Sequence, residues 1–159
     1  MDVSPHRRRP HPGRSRGWAL GLVLAASIVH GEEPAQERTL HELAARGDVS
    51  RLERAISEGA GVDERDEDGQ TALHVAAKEC HLFAVMLLVA KGANPNARDD
   101  EKRTPLHLAA DGDSRREGER FQIVKLLIAE GADRRARDAK GKRPVDYAHV
   151  PEFEAVLAP

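Results

Sequence analysis

Residues 71–77, TALHVAA, return thirty-three positions later as TPLHLAA at 104–110. Each copy leads into a hydrophobic run that closes on Gly-Ala, at Gly92-Ala93 and Gly131-Ala132. Repetition at this period means stacked supersecondary units, because one such unit cannot bury its apolar face alone. A row of units offers an extended surface for binding rather than an enclosed pocket for chemistry.

Leu40-His41 lies thirty-three residues before Leu73-His74, which lies thirty-three before Leu106-His107; Gly59-Ala60 precedes Gly92-Ala93 by the same distance. The third Gly-Ala follows the second by thirty-nine residues, so six extra residues fall between Ala110 and Ile123, in the stretch 111–120 (DGDSRREGER). A last partial unit, Arg143 to Ala148 (RPVDYA), keeps the Pro and Ala of the motif and replaces its Thr and His.

The residue types at these positions specify helix ends. Thr104 can cap a helix through its hydroxyl, and Pro105 at the first helical position gives up an N–H that has no partner there. Val85, Leu88 and Val89, and likewise Val124, Leu127 and Ile128, fall at helical spacing. Gly92 and Gly131 follow where a left-handed residue ends a helix. The segments leading to the next motif, such as 94–103 (NPNARDDEKR), are polar and turn-rich. Aromatic residues make up 3% of the chain, which disfavours a base-stacking platform and suits thin, closely packed helices. Glu42, Arg46, Arg51, Glu53 and Arg54 fit the solvated face of an end unit.

Thr-Pro-Leu-His-x-Ala at this period, followed by Leu-Leu, Gly-Ala and an Asn/Asp-rich turn, resembles the ankyrin repeat over about residues 39–158. Thr39 at the first unit's Pro position, Cys80 in place of a Gly, and the short last unit depart from the pattern. The resemblance implies an all-α repeat solenoid of helix-turn-helix units with β-hairpin fingers. Its domain spans 39–159, divided at about 39–70, 71–103, 104–142 (with the insert 111–120) and a partial cap at 143–159. It also implies that His41, His74 and His107 hydrogen-bond within their own turns and bridge neighbouring loops, and that His81 is structural.

Ahead of the repeats, Arg7, Arg8, Arg9, Arg14 and Arg16 precede the uncharged run Trp18 to Val29, then Gly31-Glu32-Glu33-Pro34. That order is a signal peptide's, assigned here to 1–31 with a cut before Glu32 and an N-terminal tail at 32–38. Twelve helical residues reach about 18 Å against a hydrocarbon core of about 30 Å, so cleavage is preferred over a retained anchor. The expectation is an exported, periplasmic or secreted protein with no stable membrane insertion after cleavage. A retained anchor, making a membrane-tethered scaffold, is the alternative.

Without 1–31 the chain carries 20 Lys and Arg against 26 Asp and Glu, a net charge of −6. An acidic domain disfavours nucleic acid. Cys80 is the sole cysteine, so an intramolecular disulfide is excluded; a buried structural thiol is preferred over an intermolecular bridge.

Equivalent histidines on neighbouring helices stand about 8–10 Å apart, too far to share a zinc ion with ligands at about 2 Å. Glu64-x-Asp66-x-Asp68-Gly69 has Val75 where a calcium loop needs a carboxylate. No nucleophile elbow, phosphate-cradling loop or His-Glu-x-x-His helix occurs. The reading is therefore a non-enzyme with no cofactor and no metal.

What stands out is charge graded along the fingers. Residues 62–70 carry −4, residues 95–103 balance at 0, and residues 134–142 carry +4. Such an edge would orient a protein partner of opposite polarity. The candidate partner-binding residues are Asp66, Asp68, Asp99, Glu101, Arg103, Arg135, Arg137 and Lys140, with Arg115 and Arg116 from the insert. The insert, with Gly112, Ser114 and Gly118, is read as a flexible loop away from the fingers, tolerated or binding. The function expected is a monomeric, non-catalytic module that binds a protein partner through its concave face and fingers. An immunity, inhibitor or enzyme-protecting role is the narrower alternative.

Overall fold

The computed structural model describes residues 39–111 and 116–158. The signal-peptide and tail assignments and Arg115 lie outside the described residues. Helix pairs follow the repeat: α1 (Leu40–Arg46) with α2 (Val49–Ser57), α3 (Ala72–Lys78) with α4 (Leu82–Ala90), and α5 (Pro105–Ala110) with α6 (Glu117–Ala129). A 3-10 helix, Pro144–Tyr147, and α7 (Pro151–Leu157) close the array.

α3 and α5 start at their motifs because the threonine stays extended (φ −94° and −98° at Thr71 and Thr104) while the next residue turns helical. The first helices pack in file, α1 on α3, α3 on α5 and α5 on the 3-10 helix; α2, α4 and α6 form a second row. Small residues permit this close stacking: Ala72, Ala76, Ala77, Ala109 and Ala110 are all buried. Leu52, Leu73, Leu88, Leu106 and Leu127 are fully buried between the rows, each contributing roughly 1.5–3 kcal/mol of hydrophobic stabilisation. Val85 and Val124 join them, while Val89 and Ile128 are half-buried, as helical spacing predicts.

Gly-Ala divides two tasks. Gly92 and Gly131 take φ near +89° and +88°, ending α4 and α6, and the alanine that follows turns back into the core, its N–H donating to Leu88 O and Leu127 O at 2.9 Å. At the far end, Phe153 and Leu157 of α7 are buried, and Phe153 meets Phe121 of α6 edge-to-face at 5.6 Å. That contact covers the last apolar face of the stack. At the near end, Glu42, Arg46, Arg51, Glu53 and Arg54 are exposed, as an end unit requires.

The β-hairpin part of the expectation is not confirmed: no strand occurs among the described residues. The fingers are tight turns, each closed by two backbone bonds. Asp66 N–H donates to Gln70 O at 2.9 Å and Gly69 N–H to Asp66 O at 3.1 Å; Asp99 with Arg103 and Lys102, and Asp138 with Lys142 and Gly141, repeat the pattern. Neighbouring fingers share a single backbone bond, Asp100 N–H to Asp68 O at 3.1 Å and Ala139 N–H to Glu101 O at 2.8 Å. One bond per pair is too little to form a ladder.

The insert also differs from a wholly flexible loop. Glu117 to Arg120 are helical, so α6 runs for 13 residues where α2 and α4 run for 9, and Gly118 lies within it. The extra length became in part an added helical turn.

Candidate functional site

The repeated histidines form a ladder under the fingers. In the second unit, Thr71 N–H donates to His74 Nδ1 at 3.1 Å, and the Thr71 hydroxyl lies 2.9 Å from the same nitrogen. An accepting Nδ1 places the proton on Nε2, which donates to Arg103 O of the next unit at 3.1 Å. His107 repeats this with Thr104 and with Lys142 O at 3.2 Å, and His41 Nε2 reaches Gln70 O at 2.9 Å. His74 and His107 thus tie their own helix starts to the residue before the next one, and His41 reaches the equivalent residue, Gln70. Burial pushes the pKa of His74 and of His107 below the ordinary 6.5, overriding the carbonyl each donates to.

In the last unit Asp146 takes over half of that task. Its carboxylate accepts from Arg143 N–H at 2.7 Å, closing the turn as a histidine Nδ1 does elsewhere, and it has no donor for a following unit. The Arg143 guanidinium beside it holds its carboxyl below the usual range. An acceptor-only residue suits the place where the ladder stops.

On this frame the predicted partner-binding residues fall into three groups. Asp66, Asp99 and Arg103 build the fingers. Asp66 Oδ1 accepts from the N–H groups of Asp68 and Gln70 at 3.0 and 2.8 Å. Asp99 is buried; it accepts from Arg103 N–H at 2.7 Å and from Arg103 Nε at 3.0 Å. Asp68, Glu101, Arg135, Arg137 and Lys140 are exposed along the finger edge. Arg116 is exposed at the opposite edge, its Nη1 donating to Glu79 O at 3.3 Å, so the structure does not bring it together with the finger set.

Two parts of the finger edge escape a count of charges. Asp138 is the third finger's equivalent of Asp66 and Asp99, and it is buried. Its Oδ1 accepts from Lys140 and Lys142 N–H at 2.8 Å, and its Oδ2 accepts from the Tyr147 hydroxyl in a short bond. Burial raises the Asp138 carboxyl, but the Tyr147 hydroxyl and the two N–H groups outweigh it and hold the group below its ordinary value. The same bond pushes Tyr147 up to about 12. With its one carboxylate turned inward, the third finger presents cations to solvent.

The second is a ladder of arginines immediately before these aspartates. Arg65 Nη1 donates to Arg98 O at 2.7 Å, Arg98 Nη2 donates to Arg137 O, and Arg137 Nη1 donates to Gly141 O at 2.7 Å. Their spacing of thirty-three and thirty-nine residues is the signal that would have found them. These bonds and the shared backbone bonds keep the fingers side by side in chain order, so the acidic-to-basic order becomes an order in space.

Away from the fingers, Phe83 and Met86 stand out as exposed large apolar side chains, 71% and 48% exposed, on the outer face of α4. Beside them a cleft of about 360 Å³ is lined by Gly47, Cys80, His81, Phe83, Arg116 and Glu119, among others. Among the described residues, no group of three or more His, Cys, Asp or Glu is placed to hold a metal ion, and no helix is long and apolar enough to cross a membrane.

A family model described as ankyrin repeats in three copies matches residues 40–138. Acyl-CoA-binding domain-containing protein 1 of Arabidopsis thaliana is 35% identical over 86 residues, which cover 52% of this chain and 25% of that protein. The chain thus spans about a quarter of the length of that relative. Family match, helix-pair stacking and histidine ladder agree: the chain belongs to the ankyrin-repeat family, whose stacked units are protein-interaction modules.

Proposed function

We propose that this chain is a non-catalytic binding protein that holds a protein partner along its finger edge and the adjoining concave helix faces, with the charge order of the fingers fixing the partner's direction. The observation that carries this reading is the registered stacking of an acidic first finger, a balanced second and a basic third. Exposed Asp68, Glu101, Arg135, Arg137 and Lys140 are the contact residues, with Asp66, Asp99 and Arg103 holding the turns beneath them. A field of this kind acts mainly on encounter and orientation.

The test is site-directed photo-crosslinking in the native host with the full chain. A crosslinker at Ala139, exposed on the third finger between them, is expected to trap one defined protein, and trapping should fall in the Arg135→Glu, Lys140→Glu background. Trapping that does not respond to that reversal contradicts the finger reading.

A second surface is favoured by a separate observation: the exposed pair Phe83 and Met86 next to the cleft edged by Arg116. On that reading the insert edge binds the partner, a crosslinker at Phe83 traps it, and deletion of Asp113 to Gly118 abolishes trapping while folding survives.

Export to the periplasm or beyond is part of the proposal on the strength of the residue order in 1–31, basic head, apolar run, then small residues. Mass spectrometry of the mature amino terminus decides it: a start near Glu32 supports export with cleavage, and an intact start supports the membrane-tethered alternative. Within an exported binding protein, an inhibitor, immunity or enzyme-protecting role is the narrower reading, tested by assaying the captured partner's activity with and without this chain.

A further inference from the structure

The second and third units meet at a contact with no counterpart between the first and second. His81 lies in the earlier contact, its Nε2 donating to Ala45 O at 3.0 Å with its ring against Gly47, where a Cβ would stand 2.7 Å from Nδ1. One unit later Gly47 is replaced by Cys80 and His81 by Arg120. Cys80 keeps the left-handed backbone, φ 60°, and carries a Cβ, which at the equivalent Gly47 would lie 2.7 Å from the imidazole. The longer arginine instead reaches the sulfur: Arg120 Nη2 donates to Cys80 Sγ at 3.3 Å.

Arg120 is 6% exposed, and its Nε and Nη1 are buried with no acceptor. A buried cation is ordinarily paired, since unmatched donors cost about 1–3 kcal/mol each and more when charged. The acceptor it does touch is a thiol, among the weakest in proteins. Cys80 also lines the 360 Å³ cleft, which gives a small oxidant a path to a thiol that is otherwise buried.

We propose that Cys80 is a modification site, oxidised by hydrogen peroxide to a sulfenic acid that the Arg120 guanidinium holds in place. The sulfur attacks one peroxide oxygen, forming an S–O bond as the O–O bond breaks; the departing hydroxide takes the thiol proton and leaves as water. Sulfur gives up two electrons and peroxide accepts them. The new oxygen is an acceptor of the kind the guanidinium lacks, beside donors that the thiol leaves unmatched. With no second cysteine in the chain, the sulfenic acid cannot be resolved into an internal disulfide.

The experiment exposes the full chain to hydrogen peroxide and follows its mass, with peptide mapping to locate added oxygen. Dithiothreitol reverses a sulfenic acid but not methionine sulfoxide, and Cys80→Ala separates the thiol from Met1 and Met86. Cys80 in the folded chain is expected to gain one dithiothreitol-reversible oxygen that outlasts the same product in the urea-unfolded chain by about tenfold, the worth of one charge-assisted hydrogen bond. Arg120→Lys, which keeps the charge and loses the fork of donors, is expected to remove that tenfold while the circular dichroism spectrum stays native. A folded thiol that stays unoxidised, or a sulfenic acid no longer lived than in urea, overturns the proposal. So does undiminished lifetime in a folded Arg120→Lys chain; if that variant does not fold, the folded-against-unfolded comparison decides alone.

Discussion

Arg120 and Cys80 are a matched pair: the guanidinium donates to the sulfur at 3.3 Å, where one unit earlier His81 lies against Gly47, at which a Cβ would stand 2.7 Å from the imidazole Nδ1. The two departures from the repeat therefore depend on each other. Cys80→Gly alone relieves a left-handed side chain but takes the acceptor from a buried cation, and Arg120→His alone drives an imidazole onto Cβ. Each single change is expected to destabilise the fold by about 1–2 kcal/mol, whereas Cys80→Gly with Arg120→His rebuilds the Gly47–His81 arrangement and couples favourably by about 1–2 kcal/mol. Urea denaturation of the four chains measures the coupling. Additive effects would separate the two residues.

Lys102 stands where the other fingers carry Gly69 and Gly141, and it adopts the same left-handed backbone, φ 59° against 71° and 76°. A side chain in that region costs about 1–2 kcal/mol. Lys102→Gly is expected to raise stability by about 0.5–1 kcal/mol, the conformational freedom gained by the unfolded chain offsetting part of the relief. Gly69→Ala is expected to do the reverse and more strongly, because its Cβ would collide with Asp100 Oδ1 and lie 3.0 Å from Asp100 N. Thermal melts of the two variants check both signs.

Acid should loosen the histidine ladder. Burial lowers the pKa of His74 and His107 in the folded chain below 6.5, so the unfolded chain takes up protons first as pH falls. Their contribution is complete above about pH 6.5 and declines below it toward the folded pKa, with a slope of about 1.4 kcal/mol per pH unit for each histidine at most. Urea titrations between pH 8 and pH 5 should show the unfolding midpoint steady and then falling. A midpoint unchanged down to pH 5 contradicts the neutral, Nε2-protonated ladder.

Tyr147 is the sole tyrosine, and its hydroxyl donates to the buried Asp138 carboxylate. Its ultraviolet titration is expected to centre at about 12 rather than 10. The group's folded pKa is raised, so its share of stability is full below about pH 10 and is lost as pH rises toward 12. Asp138→Asn should return the tyrosine toward its ordinary value.

Legibility varied with the kind of information needed. Helix pairs, their core residues and the Gly-Ala ends were readable because stacking forces the same apolar positions to recur, and Leu73, Leu106, Val85 and Val124 repeat visibly. The pairing within the fingers was not legible: polar, turn-rich composition says that the chain reverses, not whether the arms reach ladder distance. Asp99 and Arg103 counted as surface charge until geometry turned them inward, since one residue type serves as an Asx-turn acceptor or a solvated anion. Arg120 was hidden because its equivalence to His81 crosses the insert, and a buried arginine whose Nε and Nη1 lack acceptors has no composition signal.

The most direct measurement is the association rate of the crosslinked partner with the native chain and with Arg135→Glu, Lys140→Glu, across ionic strength. A steering edge predicts a rate lowered about tenfold or more by the reversal at low salt, with the two rates converging as salt screens the field. Equal rates at low salt would contradict the claim that the ordered charges of the three fingers guide a protein onto this face.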